Sequence, residues 1–438
     1  MNTTTMKRAL VASLSVAAVL ATAACSSTPA APGTGGGGGG GTTTTADWTK
    51  KGPINYAQGK DTSGNLKAEI DEWNAANPDQ KVTLIELSDS ADQQRADMVK
   101  RASAKSGEFS VISMDVVWTA EFAANQWVEE LPADKFPTTG LLKSAVDSVT
   151  YFNKVYGYPS TSDGALLYYR KDLLDAKGLS APKTWAEMKS ACDAVLPGQS
   201  GMSCYAGQFQ KYEGLTCNIA EAVNSAGGEF LTADGKPNVN TSEAVAGVQW
   251  LVDGFKSGMI PQDAITFKEE ESRQAFQDGK ILFLRNWPYV YQLASKTDGS
   301  SSVAGKFAVA PLPGKDGPGV STLGGHNMAV SKFAENKGTA MEFIKWMNTE
   351  ANQKRRLETS SLAPTVESIY SDAALQAKFP YLKDLGDSIS TAKPRPKAVK
   401  YGDVTLAIQD ASYSALQGQK APQTAFEELQ TKLTELVK

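Results

Sequence analysis

The chain has 438 residues, 41% hydrophobic and 21% charged, with a net charge of −4 and a single histidine. That is a globular balance with room for roughly two to four domains, neither disordered nor collagen-like. With no second run of about 20 apolar residues it is not a polytopic membrane protein. A mildly acidic body without basic runs argues against nucleic acid as the main partner. One histidine weighs against His-rich metal sites and most His-based catalysis, so no metal or cofactor is expected.

The first segment is an address. Lys7 and Arg8 precede an apolar stretch over residues 9–21, too short to span a bilayer as a mature helix. Thr22-Ala23-Ala24 then lead into Cys25, which resembles a bacterial lipobox with Thr22 in place of the usual Leu or Val. The expectation is a signal peptide over 1–24 and a lipidated Cys25; the alternative is an ordinary secretory signal beside a chance cysteine. Removing Lys7 and Arg8 with the leader takes the net charge from −4 to −6. Residues 25–52 carry a run of seven glycines, Gly35 to Gly41, followed by four threonines, and read as a flexible tether. The poly-Gly run matches dinucleotide-loop patterns trivially, with no strand before it. Lipid, tether and body together describe a protein held at the outer face of a membrane.

The body opens with a strand at 53–57, a helix at 66–76 with Leu66, Ile70 and Trp73 on one face, and a strand at 82–87. A second helix covers 91–104, and a short apolar strand at 109–114 ends in Asp115. This β-α-β-α-β rhythm implies a parallel sheet covered by helices, with ligands bound beyond the carboxyl ends of its strands. Further on, Thr184 and Glu187 form a capping-box pattern, and Thr266 and Glu269 repeat it before a helix ending at Gly279. A buried strand at 281–284 exits through Arg285-Asn286-Trp287-Pro288-Tyr289. Another strand is expected before Gly324-Gly325, and a helix over 340–347. Cys192 and Cys204 are twelve residues apart across a turn, so a disulfide or two unpaired thiols fit; Cys217 reads as a small buried residue. Two sheets with separate strand-end loops point to two lobes and a cleft.

The lipobox and tether, Ser-Met-Asp-Val-Val-Trp-Thr-Ala-Glu-Phe-Ala (113–123), Leu-Leu-Tyr-Tyr-Arg-Lys-Asp-Leu-Leu (166–174), Lys-Thr-Trp-Ala-Glu-Met (183–188), Asn-Trp-Pro-Tyr (286–289) and Arg-Pro-x-x-x-x-Tyr (395–401) resemble the extracellular solute-binding proteins of carbohydrate ABC transporters. The nearest branch is the trehalose/maltose-binding type found as actinobacterial lipoproteins. The resemblance runs in matching order from residue 53 to the end. It implies an α/β fold of two lobes joined by crossover strands, a sugar in the central cleft, hinge closure and delivery to a membrane permease, by a monomer that is not an enzyme. The expected lobes are 53–160 with 320–362, and 161–319 with 363–438.

A sugar site needs carboxylates, amides and arginine for hydroxyls and flat rings for C–H faces. Asp115 ends an apolar strand, and the family uses the matching Asp for sugar hydroxyls; a helix N-cap is the alternative. The family's matching pair to Ser90 and Arg95 reaches the sugar, against a helix cap and a surface ion pair. Trp118 can line the cleft or belong to the core. Asp163 sits where the family places a sugar-binding Asp, without the aromatic that often precedes it, and turn chemistry would also explain it. Glu213, next to Tyr212, approaches a helix N-terminus, which favours an acid even without a ligand. Trp287 leaves a buried strand into a Pro-containing loop and is the strongest stacking candidate, an inter-lobe core Trp being the alternative; Asn286 and Tyr289 share its loop. Gly325 permits close approach, and His326 stands where many relatives carry Trp, to meet a hydroxyl or serve as a structural histidine. Arg395, which heads the C-terminal motif, reaches across the cleft or stays on the surface. A glycan hydrolase and the same fold with a non-sugar solute are the competing functions.

Overall fold

The computed structural model describes residues 46–437. The expected signal peptide, Cys25 and the poly-Gly run of the expected tether lie outside the described residues. Strand β1 (Ile54–Gln58), the helix Leu66–Ala76, β2 (Val82–Glu86), the helix Ala91–Ser103 and β3 (Val111–Asp115) follow one another as the apolar periodicities predict. β1 pairs in parallel with β2 and β3. Trp73 and Phe343, on the helix Lys337–Met347, meet edge to face at 5.5 Å and close this core.

A small hairpin, β4 (Thr150–Tyr151) and β5 (Lys154–Val155), leads to β6 (Tyr158–Pro159) at the edge of the first sheet. The chain then crosses through β7 (Asp163–Gly164) into β8 (Leu166–Tyr169) of a second sheet. β9 (Ser203–Ala206), β10 (Ile281–Asn286) and β11 (Ala308–Ala310) complete that sheet in the order β11-β8-β10-β9. The return passes through β12 (Leu323–Gly324), paired antiparallel with β7, to β13 (His326–Val330), inserted between β3 and β6. The first sheet is thus β2-β1-β3-β13-β6, assembled from distant parts of the chain. The helices Tyr401–Leu416 and Pro422–Leu436 pack against Glu213–Ser225 and Ser242–Ser257, beside the second sheet. The result is a two-lobed α/β fold, with β6–β8 and β12–β13 as crossovers and a cleft between the sheets. No helix among the described residues is long and apolar enough to cross a membrane.

The Thr184 box forms as its pattern predicts: its hydroxyl accepts from the Glu187 amide at 3.1 Å, and Glu187 accepts from the Thr184 amide at 3.2 Å. Cys192 and Cys204 are joined by a disulfide, Cα–Cα 5.5 Å. Cys217 is a buried free thiol.

Three local expectations differ. Thr266 ends a 3₁₀ turn and spends its hydroxyl on the Asp263 carbonyl at 2.8 Å, so the helix Glu269–Gln277 starts later, with Glu271 accepting from the Lys268 amide at 3.0 Å. Arg285 and Asn286 are not loop residues: β10 runs through both, because Glu221 and Gln208 take up the buried guanidinium. The longer strand near the glycine pair comes after it, as β13, with only β12 before.

Gly325 occupies φ +106°, and a Cβ there would press on the Thr161 carbonyl of the facing crossover. Gly325→Ala combines backbone strain with that overlap, so a loss of more than about 1 kcal/mol in urea unfolding is expected. Unchanged stability would mean the crossover tolerates a shift.

Candidate binding site

The two sheets aim their strand ends at one another. β3 delivers Asp115, and β13 begins at His326, registered directly opposite it. β10 exits into Trp287-Pro288-Tyr289, and Glu213 opens the helix Glu213–Ser225. The cavity between them, about 310 Å³, is lined from the predicted set by Asp115, Asp163, Glu213, Trp287, Tyr289, Gly325, His326 and Arg395.

Arg395 is at the centre. Its Nη2 donates to Asp115 Oδ1 at 2.6 Å, and its Nη1 donates to Glu213 Oε1 at 2.6 Å and to Asp115 Oδ2 at 3.2 Å. Glu213 also accepts from the hydroxyls of Tyr401 and, at 2.7 Å, Thr405. Burial pushes the Glu213 carboxyl up and Arg395 pulls it back, while the two acids hold Arg395 cationic. A second contact links the lobes at the rim: Asp92, on the helix Ala91–Ser103, accepts from the Glu213 amide at 2.7 Å and from Gln409 at 3.2 Å.

Trp287 is half-buried. The Arg285 guanidinium lies 3.9 Å from its ring centroid, and a Cβ on Gly324 would come within 2.8 Å of the indole edge. The glycine thus makes room for the ring, whose remaining surface opens to the cavity. Asp163 presents a carboxylate that accepts no hydrogen bond from the described residues; burial, then the neighbouring Asp115 charge, raises its pKa to about 7. Burial lowers the His326 pKa, so the imidazole is a neutral donor-acceptor at pH 7. Tyr289 donates to Glu270 and Tyr212 to Glu269, each at 2.6 Å, leaving both carboxylates on the cavity wall with acceptor capacity.

The other predicted residues stand elsewhere. Arg95 is bound through both Nε and Nη2 to Glu121 and does not line the cavity. Ser90 is at the N-cap of the helix Ala91–Ser103 without a side-chain cap bond, and its neighbours Asp89 and Ala91 line the cavity instead. Trp118, 1% exposed, stacks on Phe122 in the first lobe's core. Asn286, fully buried, accepts from the Trp287 amide at 2.8 Å and donates to the Glu269 carbonyl at 3.1 Å, so it fixes the loop from beneath. Sequence inspection missed Glu69, Glu269, Glu270, Arg356 and Tyr56, all on the wall. The acids at 269–271 carried a signal, three successive glutamates in a first turn, which a cap alone does not require.

Residues 56–354 match the profile of the family described as bacterial extracellular solute-binding protein. The chain belongs to that family. A relative from Deinococcus radiodurans, named a probable ABC transporter-binding protein, is 31% identical over 382 residues, covering 84% of this chain and 90% of its own. The galactooligosaccharide-binding protein of Bacillus subtilis is 23% identical over 69% of this chain and 70% of its own. Among solved structures, maltose-bound MalE3 of T. maritima superposes with a TM-score of 0.83 at 32% identity, over 88% of this chain and 99% of that one. As a member of this family the protein is an extracellular solute-binding component of the ABC-transporter type and not an enzyme.

Asp163 yields a pH test. Its folded pKa, about 7, exceeds the ordinary 3.8, so the native state holds a proton that the unfolded chain releases between them. Stability therefore falls as pH rises through that window. Asp163→Asn is expected to flatten the fall in melting temperature between about pH 4 and 7 relative to the parent. Parallel pH profiles would show that Asp163 ionises freely.

Proposed function

We propose that the solute is an α-linked di- or oligosaccharide of the trehalose or maltose kind, carried to the permease of an ABC importer. The observation that carries this is Trp287: an indole backed by Arg285 and open to a cavity whose other walls present Asp163, Glu269, Glu270 and Arg395. The ring suits C–H faces, and the acids and guanidinium suit hydroxyls. The similarity to maltose-bound MalE3 supports the same class. Ser90, Arg95, Trp118 and Asn286 are assigned supporting rather than contacting roles, because none of them lines the cavity.

Titration calorimetry with maltose and trehalose tests this. Saturation at about 100 times the dissociation constant stabilises the fold by roughly 2.7 kcal/mol. Trp287→Ala should weaken binding at least about 30-fold, roughly 2 kcal/mol, and leave the circular-dichroism melt near the parent's. Unchanged affinity would remove Trp287 from the site.

Sugar closes the lobes, taken as 53–160 with 320–362 and 161–319 with 363–438, about the crossovers. A ligand touching both Asp163 and the first-sheet residues has more partners in the closed form, and that difference shifts the population. Small-angle scattering should show a smaller radius of gyration with saturating sugar; no change in a sample shown to bind would leave a preformed site. The body is held at the cell membrane by a lipid on Cys25, and Cys25→Ser should move it from the membrane fraction to the soluble one.

A further inference from the structure

We propose that the body docks on an anionic phospholipid bilayer through a patch centred on Phe152, whose ring enters the surface while Lys393, Lys397 and Lys400 meet headgroup phosphates. This rests on the lipid anchor proposed above and adds an orientation to it. Among the described residues three large apolar side chains are strongly exposed: Phe152 at 81%, Leu406 at 49% and Val399 at 44%.

The fold brings the three into one region. Phe152 tips the hairpin of β4 and β5, and its neighbour Tyr151 lies 6.4 Å from Tyr156. Tyr156 and Tyr401 pack into one apolar cluster with Trp118 and Phe122. Val399 stands just before Tyr401, and Leu406 lies on the helix Tyr401–Leu416. Lys397 donates to the Asp147 carbonyl at 3.1 Å, on the helix Lys143–Ser148 that leads into the hairpin.

The ring is costly where it stands. Phe152 and Asn153 are the central residues of the turn, at φ +46° and +60°, where glycine, asparagine and aspartate are favoured. In return the phenyl gains only an edge contact with Tyr151 at 4.5 Å. The acids nearby are paired, Glu130 with Lys154 at 2.6 Å and Asp147 with Lys143 at 2.5 Å, and Asp403 lies in the field of Arg95. Lys393, Lys397 and Lys400 are exposed and have no ion-pair partner among the described residues. The patch is therefore basic, on a chain whose net charge is −4.

Two arguments favour a bilayer over a protein. Separate apolar tips on a hairpin and a helix bury too little for a stable protein interface, which takes roughly 800 Å² a side. A bilayer accepts such tips one by one and attracts each lysine independently. It also stays within reach of an anchored body, since residues 25–45 span at most about 75 Å even fully extended. The described chain begins at Ala46, and Trp48 packs on Phe136 at 6.1 Å. Leu131, on the same short segment, donates its amide to the Val155 carbonyl of the hairpin at 2.7 Å. The start of the body and the hairpin are thus joined through one segment.

The test is co-sedimentation of the mature chain carrying Cys25→Ser, which takes no lipid, with vesicles of phosphatidylcholine alone or mixed with phosphatidylglycerol. The mixed vesicles should bind about tenfold or more tightly than the neutral ones, and added salt should erase the difference. Lys397→Gln and Lys400→Gln should each weaken binding to mixed vesicles about fivefold. Phe152→Asn suits the left-handed turn, so its melting temperature should hold or rise while its vesicle binding falls about fivefold or more. No binding to mixed vesicles, or binding that all three variants leave unchanged, overturns the docking surface and leaves the anchor standing. A lower melting temperature in Phe152→Asn would make the ring part of the fold and overturn its role. Binding only to vesicles that also carry the permease would give the patch to a protein and overturn the lipid partner. The anchor is judged separately, by the fractionation of Cys25→Ser.

Discussion

The cleft depends on one guanidinium. Arg395 sits between the carboxylate that ends β3 of the first sheet and the one that opens a helix of the second lobe. Buried ion pairs of this kind contribute little net stability, because desolvation offsets the attraction, but removing one member strands the others at about 3–5 kcal/mol. Here the stranded groups would belong to different lobes. The interaction therefore sets the geometry in which the lobes meet more than the stability of either. Asp92 repeats the same logic at the rim, reaching from the first lobe to the Glu213 amide and Gln409. Parting the two strand ends would mean rehydrating all these groups.

A second buried pair fixes the binding surface. Arg285 is fully buried, donating to Glu221 from Nε at 2.7 Å and from Nη2, and to Gln208 at 2.7 Å. Its flat face supports the Trp287 indole. Glu221 also accepts from the Thr322 amide at 3.2 Å, immediately before β12. One ion pair thus holds the ring and the return crossover in register. The Gly324 position completes the arrangement, since any side chain there would displace the indole.

What the sequence made legible, and what it hid, follows from how local each cause is. The helix Leu66–Ala76 shows in the spacing of Leu66, Ile70 and Trp73, and the Thr184 cap in a three-residue interval, because their causes lie within one or two turns. Asp115 and Trp287 were visible because a charge or a large ring at the end of an apolar strand lacks a packing explanation. Arg285 was hidden because its partner is 64 residues away, and without Glu221 an arginine reads as the end of a strand. Trp118 reads equally well as wall or core until Phe122 is seen stacked on it. Arg95 was matched to a ligand role by pattern, and the structure gives it Glu121 instead. Glu69 and Arg356 lie in helices dense with charge, where nothing local separates a solvated side chain from one turned inward.

The way the wall charges are used narrows the chemistry of the solute. Acids outnumber bases on the cavity wall, a balance that alone would suit a cation. Several of those acids are already engaged: Asp115 and Glu213 by Arg395, Glu269 by Tyr212, Glu270 by Tyr289. Each keeps lone pairs free while part of its charge is compensated, which makes it a good acceptor for a hydroxyl and a weaker attractor of an ammonium group. Asp163, lacking such a partner, responds by holding its proton to about pH 7, where it can donate or accept. The interior thus offers aimed hydrogen-bonding groups beside an aromatic face. A neutral polyol gains from every one of those features, whereas a cation would use only the residual charge.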